Sequence, residues 1–383
     1  MAITTDSLTQ DELDYLMYAT LSEKVANVDE VIPLSRPDYP TLNLLMRKKK
    51  NNGEPVRGGY RFNVKGLRGQ KLTWWDGMDI LPFEERYTGN AMRFYVGKMH
   101  LGDTLPYDLV ERTGVRIDYN RGLREGASRK ATLEKVVNVI KENRDDIMFN
   151  IKQELAKTVM KTNVDQPKCF TGLLGLMPVT NPTYGTIGGM SRGNPMFQHL
   201  VSTGWTGDNI LSYFQSFIKA LQRRSNGRKV DIISCGDNVY DLLVNVFTGA
   251  ASGGGTASNT VAGKFDYRSA REMAQKMGEK YNIGLPQDCF AYEDRLIIND
   301  PVYQDLNAED PTTGWPSLCF CLTSEYQFLI PVMENVVVPH PMPFNQRVQN
   351  TSFHGEMTLA QICPNSSGVF QVNFAGNGIA IGV

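Results

Sequence analysis

Residues 128–161 read SRKATLEKVVNVIKENRDDIMFNIKQELAKTVMK, with no Gly or Pro to interrupt them. Leu133, Val136, Val137, Ile140, Ile147, Met148, Ile151, Leu155 and Val159 recur at helical spacing, so one face of a single continuous helix is apolar. Ser128 suits the N-cap, and Lys157 and Lys161 suit the negative end of the helix dipole. At the usual rise per residue the helix is roughly 45–50 Å long. That is more than an ordinary domain core requires; it reads as a beam on which other parts are hung. Asp145 and Asp146 are neighbours on this helix and point in different directions, which suits a solvated face and not a catalytic pair.

Upstream of the beam, residues 54–101 alternate as an extended β arm, with RFNV (61–64) and AMRFYVGKMHL (91–101) as its clearest period-2 segments. The first half, RGGYRFNVKGLRGQKLTWWDG (57–77), carries Arg57, Arg61, Lys65, Arg68 and Lys71 with no acid among them, then the paired Trp74 and Trp75. The second half answers with Asp76, Asp79, Glu84 and Glu85 against Arg86. A hairpin could pair these halves within itself, or one copy's basic edge could meet the next copy's acidic surface. Adjacent residues on a strand face opposite sides, so one indole can pack on its own chain while the other meets a neighbour. Residues 1–50 read as an arm: eight acids and two bases fall in the first 40 residues, with Pro33, Pro37 and Pro40 close together. Within that arm, Leu13, Leu16, Met17 and Leu21 form a helical stripe that needs another surface to cover it.

Downstream, CFTGLLGLMPVTNPTYGTIGGMSRGNPMFQHLVSTGW (169–205) is dense in Gly and Pro and reads as a long ordered loop with strand fragments, without helix. A helix over 208–225 follows, with Asp208 as N-cap and Asn226-Gly227 as its stop. KVDIISC is a buried strand, and the helix DNVYDLLVNVF, capped by Asp237, completes a small α/β unit. Residues 249–263, GAASGGGTASNTVAG, are low in complexity and flexible. RSAREMAQKMGEKY (268–281) is a further short helix. RLIINDP, SLCFCLTS, YQFLIPV, ENVVVP, EMTLAQICP and GVFQVNF then give strands to the C-terminus. The class is α+β.

The totals narrow the function. A chain of 383 residues with 41% hydrophobic and 21% charged residues is of ordinary globular composition, and its net charge of −1 gives no overall field for nucleic acid or an anionic membrane. No run is long and apolar enough to span a bilayer, and the acidic start lacks an export pattern, so manufacture in a cytoplasm is expected. The six cysteines show no C-x-x-C spacing; Cys319 and Cys321 alternate with Phe320 and Leu322 as core strand residues. Of the four histidines, His100, His199, His340 and His354, none stands at i,i+4 to another, so two would have to converge from distant segments to hold zinc. No phosphate loop is present, Lys264 being followed by Phe265. No catalytic, cofactor-binding or metal residues are expected. The basic ribbon 57–71 could alternatively bind nucleic acid, with Tyr60 and Phe62 as stacking platforms.

The order of parts resembles the major capsid protein of tailed double-stranded DNA bacteriophages, the Hong Kong 97-type fold. Residues 171–205 look like the family's stretch after its spine helix, with Gly172-Leu173, Tyr184-Gly185, Arg192 and Trp205 in the family's order. KVDIISCGDNVYDLL (229–243) is similar to the strand and helix near the start of the A-domain, RLIINDP to the strand that ends in an Asp-Pro turn, and PFNQRVQNTSFHGEMTLAQICPNSSGVFQVNF (343–374) to the closing β portion of the peripheral domain. The resemblance implies an N-terminal arm at 1–53, an E-loop hairpin at 54–98 and the first part of a peripheral domain at 99–207, with the spine helix at 128–161. It further implies an axial A-domain at 208–310 and returning strands at 311–383.

By the same likeness the E-loop lies over a neighbouring subunit, through Arg57, Arg61, Lys65, Arg68, Lys71, Trp74, Trp75, Asp76, Glu84 and Glu85. Removing 57–98 is then expected to leave a soluble subunit that cannot close a shell. The implied partners are the chain itself in hexamers and pentamers, a portal protein, a cement protein in some relatives, and packaged DNA held without sequence specificity. An arm of about 50 residues is too short to hold the scaffolding segment that some members carry, so a separate scaffolding protein is expected. The implied location is the virion, assembled in a bacterial cytoplasm. Some members cross-link Lys to Asn; Lys65 and Lys71 sit in the right loop, but nothing identifies their partners.

Overall fold

The computed structural model describes residues 7–8, 39–46, 53–64, 90–106, 116–117, 147–162, 168–205, 210–225, 227–248, 267–281, 288–340 and 348–372. The strands that matter below are β1 (Glu54–Val56), β2 (Gly59–Val64), β3 (Asn90–Tyr95), β4 (Gly97–Pro106), β5 (Leu200–Trp205), β6 (Ile232–Cys235), β7 (Cys289–Tyr292), β8 (Arg295–Asn299), β9 (Leu318–Leu322), β10 (Gln327–His340), β11 (Val348–Gln361) and β12 (Gly368–Val372). The helices are α1 (Pro40–Met46), α2 (147–160), α3 (Ile210–Arg224), α4 (Asp237–Thr248), α5 (Tyr267–Tyr281) and α6 (Val302–Glu309). No helix among the described residues is long and apolar enough to cross a membrane.

The centre is a mixed sheet in the order β7-β8-β6-β9-β12-β5. Strands covered on both faces need apolar residues at every position, and β9, Leu-Cys-Phe-Cys-Leu, is buried throughout. Its alternate side chains feed two separate cores. Leu318, Phe320 and Leu322 join Leu42, Leu155, Val159 and Leu306, from α1, α2 and α6. Cys319 and Cys321 face the other way, into Phe214, Phe217, Val239 and Leu243 of α3 and α4. Cys319 and Cys321 are therefore core residues, as are Cys235 and Cys289, while Cys169 and Cys363 are half-buried; all six are free thiols. Trp205 anchors the second core by stacking on Phe370, with ring centroids 4.1 Å apart.

Two smaller antiparallel sheets adjoin. One has the order β10-β11-β4 and the other β1-β2-β3. Phe62 of β2 sets its edge against Phe94 of β3 and Phe328 of β10, with centroids 6.0 and 5.8 Å away, and so ties the hairpin sheet to the first core.

Several expectations need correction. The segments YQFLIPV and ENVVVP form one strand, β10, whose register with β11 slips between Pro331 and Val336. Proline cannot donate to the ladder, and an irregularity lets the strand continue past it. The Gly/Pro-rich crossing contains an α-helical turn, Leu173–Leu176, and a 3-10 turn, Pro195–Phe197. Asp237 is the first residue of α4 and does not cap it; its carboxylate accepts instead from Asn299 Nδ2 and Gln304 Nε2. Gly227 does stop α3: at φ +83° its N–H returns to the Gln222 carbonyl. Within the segment read as an arm, Pro40–Met46 is a helix, with Leu42, Leu44 and Leu45 buried in the core. The first part of the beam (128–146), Asp208, Asn226, the amphipathic stripe at 13–21 and the low-complexity run 249–263 lie outside the described residues.

Candidate subunit interface

The hairpin that carries the basic ribbon is built from its turn upward. Arg57 and Gly58 form the turn between β1 and β2, and Gly58 has φ +77°, a conformation that disfavours any side chain. Gly59 follows, where an added Cβ would lie 2.5 Å from the Phe94 carbonyl oxygen; only glycine lets β2 approach β3 this closely. The ladder then pairs Gly59 with Tyr95, Arg61 with Arg93 and Val64 with Asn90. On the other side Arg61 faces Glu54.

Alternation divides this ladder into two faces. Phe62, Met92 and Phe94 point inward and are buried. Arg57, Arg93 and Tyr95 point outward, and Tyr95 is 80% exposed. The Nε of half-buried Arg61 has no acceptor among the described residues. Of the residues proposed from sequence, Arg57 and Arg61 are thus placed at the hairpin base. Lys65, Arg68, Lys71, Trp74, Trp75, Asp76, Glu84 and Glu85 lie outside the described residues. The nucleic-acid reading loses one of its platforms: Phe62 is spent on the chain's own core and has no face to offer a base.

A polar clamp fixes the beam to α6, and it was not legible from the sequence. Lys157 of α2 donates to Glu309 of α6 at 2.7 Å and to Glu154 at 3.2 Å, and Lys161 also binds Glu309. Hydrogen bonds from Lys157 and then Lys161 hold the Glu309 carboxyl below the usual range. Burial alone would lower Lys157, but the bonds to Glu309 and Glu154 outweigh it and raise it. One turn earlier, Asp305 accepts from Tyr39 at 3.0 Å and from Gln153 at 3.3 Å, joining the N-terminal segment, α2 and α6. Burial first, and then the Asp305 carboxylate, push the Tyr39 hydroxyl far above its ordinary value.

Asp300 completes the clamp. It is buried, its Oδ1 accepts the Val302 N–H at the start of α6, and its Oδ2 accepts the Thr41 N–H of α1. Thr41 Oγ1 also meets Ser234 Oγ at 2.8 Å.

Among the described residues no group of three or more His, Cys, Asp and Glu is gathered to hold a metal ion. His199 stands apart from His354: it is buried beside Arg192 and Arg224, with its Nε2 donating to the Pro178 carbonyl at 2.8 Å. Burial lowers its pKa to about 4, and the two guanidinium groups add to the shift. Arg192 spans the crossing by donating to the Gly175 and Leu176 carbonyls. These are fixings within the chain.

No family model matches the chain, and no curated protein matches it. Solved structures do. A chain of the cyanophage A-1(L) capsid asymmetric unit superposes with a TM-score of 0.53 at 10% identity, over 90% of this chain and 96% of that one. This chain has the phage-capsid fold. Weaker likenesses, at TM-scores of 0.48 and 0.47, extend to chains from Mycobacterium phage Bobi (9% identity, 90% of this chain and 94% of that one) and Gordonia phage Cozz (10% identity, 91% and 90%). The Hong Kong 97-type α+β architecture read from the sequence is thus the one found. Within this capsid fold, α6 and its Asp300 latch are among the parts that sequence reasoning missed. Asp-Pro followed by Val-Tyr-Gln was a readable helix start, a capping acid with proline at the first turn, but it was absorbed into a run of strands.

Proposed function

We propose that this chain is the major capsid protein of a tailed double-stranded DNA phage, and that pentamers and hexamers of it build an icosahedral shell around the packaged genome. The observation that carries this reading is the likeness to the cyanophage capsid chain across nearly the whole of both chains. Its role is structural, not catalytic. In this reading 1–53 is the arm, whose helix Pro40–Met46 is seated in the core, 54–98 the E-loop, 99–207 the first part of the peripheral domain, 208–310 the axial domain and 311–383 the returning strands.

The hairpin base supports the E-loop role. Its inward face belongs to the chain's own core, while Arg57, Arg93 and Tyr95 are turned outward. The ribbon beyond Val64 carries Lys65, Arg68, Lys71, Trp74 and Trp75 toward a second copy, and Asp76, Glu84 and Glu85 offer the complementary charge. Opposite charges at such a rim fix register and partner more than they add affinity; the indoles supply buried area. The partners are other copies, a scaffolding protein during assembly, a portal, a cement protein in some shells, and DNA bound through its backbone. The particle is the final location, and a bacterial cytoplasm the place of assembly.

Production of the full chain with and without its scaffolding partner, followed by sedimentation and negative-stain imaging, tests this. Rings, sheets or closed shells are expected. A discrete folded monomer at every concentration, with and without the partner, would refute the proposal.

A further inference from the structure

Zinc coordination by histidines from distant segments requires a fold that brings them together, and this fold does so once among the described residues. β4 and β11 are antiparallel, with His100 directly opposite His354. Their ring centroids are 4.8 Å apart at an interplanar angle of 51°. Both side chains are exposed, while Phe353 and Met357, on the opposite face of β11, are buried. A directly opposed pair on one face is the closest approach two strands allow, and both rings can therefore reach one ion from solvent.

The surroundings favour ligation over simple ring contact. The Ser352 hydroxyl, buried at 2% exposure, lies 2.9 Å from His354 Nε2. With Nε2–H donated to that oxygen, Nδ1 keeps the free lone pair, and a fixed outer partner of this kind orients a metal-binding imidazole. Gly102 stands two residues from His100 on the same face, and a Cβ there would lie 3.6 Å from His100 Cε1; the glycine leaves room beside the ring. On the same face Lys98 pairs with Glu356 at 3.3 Å, so that carboxylate already has a cationic partner.

We propose that His100 and His354 form a cross-strand site for a borderline divalent cation, such as zinc or nickel, with the remaining coordination positions open to water or to a ligand from another molecule. Imidazole selects such ions, whereas magnesium and calcium require oxygen donors. Two protein ligands make an exchangeable site, not a structural one.

Equilibrium dialysis of the full chain against zinc chloride, with metal analysis of both compartments, tests the site. Saturable uptake of one zinc per chain is expected, together with none of magnesium under the same conditions. His100→Ala and His354→Ala should each abolish it, and His340→Ala should leave it intact. Both positions are exposed, so thermal unfolding without metal should not change. Should an alanine variant unfold, His100→Gln and His354→Gln carry the same expectation. No saturable uptake by the wild type, or uptake unchanged in the variants at both positions, would overturn the proposal.

Discussion

At position 300 a carboxylate shut away from water accepts one N–H from the first turn of α6 and another from Thr41. Removing it orphans two buried donors, one of them at the start of α6. Asp300→Ala should therefore cost about 2–4 kcal/mol, read as a lowered urea midpoint, with faster hydrogen exchange at Thr41 and Val302 ahead of the rest of the sheet. His199 provides a pH-dependent counterpart. Its folded pKa of about 4 lies below the ordinary 6.5, so between those values the unfolded chain binds a proton that the folded chain refuses. Stability must then rise with pH through that window, by about 3 kcal/mol in total, and level off above it. Urea midpoints measured from pH 4 to 7 should show this slope, and His199→Asn should flatten it. The sequence displayed both residues without their roles. Asp300 stood in a recognised Asp-Pro turn, but nothing local reveals that its second oxygen is claimed 259 positions away; His199 looked like any lone histidine until burial and two arginines defined it.

Among the elements, those whose signal is local were readable. The beam's apolar stripe, the Gly227 stop and the all-buried β9 follow from periodicity and turn chemistry, and within the described residues the structure bears out the helix over 147–160. Where tertiary contact decides, the sequence misled. α1 looks like arm because its few apolar residues make no long pattern; it is a helix because Leu42, Leu44 and Leu45 find the first core. β10 looked like two strands because Pro331 reads as a break, whereas β11 carries the pairing past it. Gly172 tests how tightly elements meet. The chain crosses the end of α2 there so closely that a Cβ would sit 2.3–2.6 Å from the carbonyl oxygens of Lys161, Thr158 and Val159. Those are backbone atoms on a packed helix and cannot swing away. Gly172→Ala should destabilise by about 1–3 kcal/mol through overpacking, although its backbone angles are ordinary; calorimetry on the purified variant would measure it.

For the whole molecule, the structure changes how the ribbon should be removed. A deletion of 57–98 takes Phe62, Met92 and Phe94 out of the core together with the start of β4, and would unfold the subunit instead of merely disarming it. Val64 and Asn90 are directly paired, so a two-residue Asn-Gly turn can replace 65–89 and close β2 onto β3 as a tight hairpin. That variant should fold with its cooperative unfolding transition intact and sediment as a subunit that forms no shells; normal particles would show the ribbon to be dispensable. From the sequence, the fold was legible as an order of parts, and the ribbon as a segment with charge and aromatics but no local core. Which surface covers it was not legible, because the periodicity of a segment does not name the surface it meets. Cross-linking on assemblies mixed from heavy-isotope and ordinary protein reads that contact directly. Lys65 and Lys71 should join heavy peptides to light ones. Cross-links from both lysines confined to peptides of the same label would place the ribbon on its own subunit and contradict the proposal.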